Sequence, residues 1–192
     1  MSVLHRIESC LILAVLFLLP ACSVNVKKGE KGEDKKVDIE TPVGGIHVSK
    51  DVDVRDTGLE VYPGARLRQK SDDGNEKQAN VNISTGFFGL KVVALEYESE
   101  DSPAKLTSYY KTQLKKYGNV LECHTHKHGP TVETKGSDDD DSRVLTCEDT
   151  GGETLELKAG TKENQRVVSI EPAGTGTHFA LVRIQVRGKD TI

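Results

Sequence analysis

The chain has 192 residues, a formal net charge of −4, 35% hydrophobic and 5% aromatic residues, and no Trp. That length suits one domain of ordinary size. Lys and Arg are interleaved with Asp and Glu and form no basic stripe. Few rings are available to stack on bases, so the composition argues against a nucleic-acid partner.

Residues 1–22 read MSVLHRIESCLILAVLFLLPAC. Arg6 and the free amino group give a short positive start, and the apolar run LILAVLFLL follows at 11–19. A spanning helix needs about 20 apolar residues, so this run fits the hydrophobic stretch of a signal peptide better. Leu19-Pro20-Ala21-Cys22 resembles the lipobox of bacterial lipoproteins. The resemblance implies a diacylglycerol on the Cys22 thiol, cleavage before Cys22, and a mature chain beginning there. Two or three acyl chains anchor stably where one does so only marginally. Ser23 differs from the Asp that resembles an inner-membrane retention signal, so the implied location is the periplasmic face of the outer membrane in a Gram-negative cell, and otherwise the cell membrane. The implied division is a signal peptide at 1–21, a lipidated tether at 22–36, a short β-ribbon at 37–60 and an α+β domain at 61–192.

The stretch SVNVKKGEKGEDKK is charged and reads as a solvated tether. From 37 to 54 apolar residues alternate (Val37, Ile39, Ile46, Val48, Val52, Val54) around Gly44-Gly45, as in a short hairpin or ribbon. Turn chemistry follows at Pro63-Gly64, and strands are predicted at 81–84 and 90–98, with Val93, Leu95 and Tyr97 on one face. A helix starts at Ser102-Pro103, residues suited to the N-cap and the first helical position. Its apolar face is Leu106, Tyr110, Leu114 and Tyr117, and Gly118 ends it. Strands are predicted at 120–127, 143–149, 154–158, 166–171 and 178–187, with Gly151-Gly152 as a tight turn. Ala180, Val182, Ile184 and Val186 share one face of the last. The fold class is α+β: an antiparallel β-sheet packed by one main amphipathic helix, with an N-terminal β-hairpin or ribbon. The YPGA turn, the strand after it and the helix DSPAKLTSYYKTQLKKYG resemble, over about residues 60–120, a module of uncharacterised bacterial envelope proteins, which implies no activity.

Once Cys10 leaves with the signal, Cys123 and Cys147 remain beside Cys22. An envelope compartment permits disulfides. If strands 120–127 and 143–149 pair through the polar loop between them, both thiols face one core, and a bridge would contribute about 3 kcal/mol. The modest apolar content makes such a cross-link useful.

His124, His126 and His128 alternate on one strand face, opposite Cys123, with Glu122 on their side. Three imidazoles on one face are a candidate set for zinc, copper or nickel, although successive same-face residues on a straight strand converge poorly on one ion, and a solvated polar face is the alternative. The acid run Asp138–Asp141 lacks the sixth-position Gly of an EF-hand loop and reads as a solvated loop tip. Glu96, Glu98 and Glu100 read as the solvated face of their strand. The chain has no G-x-S-x-G, H-E-x-x-H or phosphate-cradling glycine loop, and no cofactor is implied. The leading expectation is a noncatalytic lipoprotein, held to a bilayer through acylated Cys22, that binds an envelope protein or serves structurally. A metal-binding lipoprotein using the H-x-H-x-H strand is the alternative.

Overall fold

A computed structural model describes residues 23–28, 34–49, 51–68, 78–126, 143–147 and 151–188. Its strands are β1 Ser23–Lys28, β2 Asp34–Thr41, β3 Gly44–Ser49, β4 Arg66–Leu67, β5 Gln78–Thr85, β6 Gly89–Ser99, β7 Leu121–Thr125, β8 Thr154–Thr161, β9 Asn164–Ala173 and β10 Gly176–Arg187. They form one sheet in the order β1-β2-β3-β5-β6-β10-β9-β8-β7, with β4 also on β6. Every pairing is antiparallel. Among the described residues one α-helix, α1 (Pro103–Leu114), packs on this sheet, so the class is α+β.

The helix follows the logic of its residues. Ser102 is extended at the N-cap position and Pro103 opens the first turn, although the Ser102 side chain makes no capping hydrogen bond. Leu106, Tyr110 and Leu114 are fully buried, one helical turn apart. They meet Val93, Leu95 and Tyr97 of β6, Phe179 and Leu181 of β10, Val168 and Ile170 of β9, and Leu157 and Ala159 of β8. Removing Leu106 would leave a cavity costing about 2–5 kcal/mol. Tyr117 belongs to a short 3-10 turn, Lys115–Tyr117, that tightens the helix end before Gly118.

The segment before β4 docks on the same helix. A 3-10 turn, Val54–Thr57, is capped by Asp53, which accepts from the Arg55 amide, and Gly58 closes it in the left-handed region. The Tyr62 amide donates to the Tyr110 hydroxyl at 3.0 Å, and the Glu60 amide to Gln113 Oε1 at 3.0 Å. Tyr62 also meets Tyr109 edge-on, with ring centroids 5.1 Å apart. The Pro63-Gly64 turn is closed by the Ala65 amide donating to the Tyr62 carbonyl at 3.0 Å. These contacts dock the 60–65 turn on the helix.

The register shows that the central strands are buried on both faces. Val167, Ala180, Val182 and Ile184 lie on the side away from α1, with Leu90, Val92, Ala94 and Val186 beside them. Glu156 and Lys158, each 1% exposed, share that side and form an ion pair at 3.4 Å. A buried pair of this kind needs its geometry and hydrogen bonds to offset desolvation.

One predicted strand is corrected. Residues 143–147 form no strand, and the strand beside β7 is β8. The apolar Leu155, Leu157 and Ala159 explain the exchange: on β8 they face α1 and its surroundings, whereas 143–147 offers only Leu145 to the interior. Gly151-Gly152 consequently joins no hairpin between 143–147 and β8, and 148–149 lie outside the described residues. Gly152 instead lies against the end of β7, where an added Cβ would come within 2.0 Å of the Thr125 carbonyl oxygen.

Candidate functional site

Cys123 and Cys147 are bridged, with their Cα atoms 5.4 Å apart. Cys123 is buried on β7, on the face away from α1, and Cys147 lies on the exposed 143–147 segment. The bridge therefore ties irregular chain to an outer strand of the sheet and does not join two paired strands. A second tie, from the Lys162 amide to the Arg143 carbonyl at 3.1 Å, holds the segment's other end.

His124 and His126 are exposed. The β7 register puts His124 opposite Leu155, on the α1 side, and Glu122 on that face is paired with Lys111 at 2.6 Å. His128 and the acid run at 138–141 lie outside the described residues. Among the described residues, no group of three His, Cys, Asp or Glu side chains is placed to hold an ion. Glu96, Glu98 and Glu100 do not stand alone on their strand: Arg68 lies 2.9 Å from Glu96, and Arg66 lies 3.4 Å from Glu98 and 3.3 Å from Glu100.

Two groups escaped the sequence reading. Arg166 and Arg183 face each other across β9 and β10 on the α1 side. The Arg166 guanidinium stacks on the Tyr117 ring at 3.7 Å, and the Tyr117 hydroxyl donates to the Gly58 carbonyl. Arg183 donates to the Asp56 carbonyl at 3.2 Å. Burial pushes the Arg166 pKa down, and the charge of Arg183 adds to that. Their Nε atoms are buried without hydrogen-bond partners. Alternation could have placed the two side chains on an apolar face, but not next to each other. His178, further along β10, is also held below its usual pKa, first by burial and then by the charge of Arg68, against Glu171, Glu98 and Glu96.

The second group is a set of apolar residues at one end of the sheet. Val43, Phe87 and Phe88 are 78%, 72% and 42% exposed. They sit on the β2–β3 and β5–β6 turns, which are neighbours because Gly44 pairs with Thr85. The approach is close enough that a Cβ on Gly44 would stand 2.2 Å from the Ser84 carbonyl oxygen. Ser23, the first residue of β1, pairs with Glu40 beside the same β2–β3 turn. Cys22 itself lies outside the described residues. No helix among the described residues is long and apolar enough to cross a membrane. No family model matches the chain, and no curated protein or solved structure is significantly similar to it.

Proposed function

We propose that the protein is a noncatalytic lipoprotein of a bacterial envelope, held to its membrane by acyl groups on Cys22. In this reading the α+β domain works as a binding or structural module for another envelope protein, on the periplasmic face of an outer membrane where the cell has one. The observation that carries it is the Leu19-Pro20-Ala21-Cys22 sequence directly after the apolar run at 11–19. The Cys123–Cys147 bridge agrees with an oxidising compartment. The N-terminal ribbon belongs to the proposal as the part of the sheet through which the anchored chain enters the domain.

The test is metabolic labelling with an alkyne fatty acid, followed by fractionation. The native chain should take the label and sediment with membranes, and Cys22→Ala should lose both. Unchanged membrane partition of the Cys22→Ala chain refutes the anchor. A second reading, metal binding by His124, His126 and His128, draws on the shared exposure of His124 and His126. Zinc or copper titration of the protein with and without triple His→Ala substitution tests it, and no His-dependent binding at micromolar metal eliminates it.

A further inference from the structure

Turn positions favour Gly, which accepts positive φ, Pro, which presets φ, and Asn, Asp and Ser, whose side chains hydrogen-bond the nearby backbone. The β5–β6 turn instead carries Gly86-Phe87-Phe88-Gly89, and the β2–β3 turn carries Pro42-Val43. Neither tip is loose. The Thr85 hydroxyl accepts from the Phe88 amide at 2.9 Å, and the Thr85 amide donates to the Phe88 carbonyl at 2.7 Å. The Thr41 hydroxyl donates to the Gly44 carbonyl at 2.7 Å. Two Thr-clamped turns thus carry large apolar side chains outside both core clusters, with Val43 and Phe87 mostly exposed. Exposed apolar clusters of this kind mark surfaces that something else covers.

Two chain features lie at the same end of the sheet as these tips. Ser23, covalently joined to Cys22, enters the sheet beside the β2–β3 turn. Arg187, exposed at the end of β10, pairs with Gly89 directly behind the phenylalanines. A cation behind protruding rings suits the boundary between anionic headgroups and acyl chains. The opposite end of the sheet is set apart by the 11 residues of β6, roughly 33 Å at strand rise.

We propose that Val43, Phe87 and Phe88 form a bilayer-contacting tip that seats the domain edge-on against the membrane. The proposal rests on the lipoprotein reading for the side from which the bilayer approaches. In it, the lipid supplies attachment, the tips fix orientation, and the opposite end of the sheet is presented away from the membrane.

The absence of Trp allows a single-reporter test on the full chain, expressed with its own signal and reconstituted in phosphatidylethanolamine–phosphatidylglycerol vesicles. Phe87→Trp and Val43→Trp place an indole at the tips. Thr175→Trp places one on the exposed β9–β10 turn at the other end. Lipids brominated on their acyl chains should quench and blue-shift the two tip reporters and leave the Thr175→Trp reporter unaffected. Phe87→Ser with Phe88→Ser should reduce quenching of the Val43→Trp reporter. Intact mass reads acylation of Cys22 independently. Acylated protein whose tip reporters escape quenching, or are quenched no more than the Thr175→Trp reporter, overturns the tip and leaves the anchor standing. Unacylated protein whose tip reporters are quenched on adding vesicles supports the tip and sinks the anchor. Unacylated and unquenched protein sinks both. A blue shift without bromine quenching means that protein covers the tip, and it overturns the proposal.

Discussion

Cys147→Ser isolates the contribution of the disulfide. Cys147 is on exposed chain, so the substitution opens no cavity around itself, and Cys123 stays buried as a free thiol. The bridge closes a sequence separation of 24 residues, for which loop-closure entropy gives about 3.4 kcal/mol at 25 °C. For a chain of this size each kcal/mol moves the melting midpoint by about 2–4 °C, so Cys147→Ser should melt about 7–14 °C lower than the oxidised protein. The assay is thermal unfolding followed by circular dichroism, with and without a phosphine reductant. Reductant should bring the native chain down to the midpoint of the variant and leave the variant where it was. If the oxidised native chain and the variant melt together, or if reductant shifts both equally, the reasoning fails. The first result would mean that 143–147 stays in place through Leu145 and the Lys162–Arg143 hydrogen bond without the covalent tie.

Tyr110→Phe leaves the Tyr62 amide without its acceptor inside the turn–helix unit and should cost about 1–3 kcal/mol in urea unfolding. Gly58→Ala combines a backbone at φ +75° with a Cβ that would stand 2.7 Å from the Tyr117 hydroxyl; unfolding should show destabilisation of about 1–3 kcal/mol, and no change would mean that Tyr117 moves freely. Hydrogen bonding from Arg55 holds Asp53 at a pKa of about 2. Its contribution is present above the unfolded value near 4 and is lost as pH falls toward 2; an NMR titration midpoint for Asp53 near 4 would contradict the pairing. The lowered pKa of His178 works in the same direction for a base. Folding favours its neutral form, so its contribution is present above about pH 6.5 and falls away as pH drops through its folded pKa, and His178→Gln should remove that part of the pH dependence.

The helix was legible because its signals agree: a start at Ser102-Pro103, apolar residues at helical spacing, and a stop at Gly118. Alternation also grouped Val93, Leu95 and Tyr97 on one face of their strand, and Ala180, Val182, Ile184 and Val186 on one face of theirs, as the two core clusters show. Strand neighbours were less legible, because alternation assigns a side chain to a face but not a strand to a partner. Pairing of 120–127 with 143–149 was as consistent with the pattern as the observed pairing of β7 with β8. The cysteine pairing survived that error because a bridge requires proximity and not a shared ladder. Burial of Glu156, Lys158 and Arg166 was invisible, since charged residues on an alternating strand ordinarily mark its wet face. Phe87 and Phe88 did leave a signal: two rings between glycines, at a position where turn chemistry favours polar side chains.

The sheet also contains an interruption with practical value. The Leu67 position faces Tyr97, the Arg68 amide donates to the Glu96 carbonyl at 2.9 Å, and Gln78 faces Leu95. Along β6 these are three successive rungs, so β4 and β5 act as two halves of one strand, with residues 69–77 spliced between them. Arg68 and Gln78 therefore stand on adjacent rungs, about 3.4 Å apart along β6. An epitope or fluorophore peptide inserted between Arg68 and Gln78 would lengthen a connection whose two ends already sit on neighbouring rungs, at a cost that grows only with the logarithm of its length. Excision that joins Arg68 directly to Gln78 would keep the register and turn two short strands into one long one.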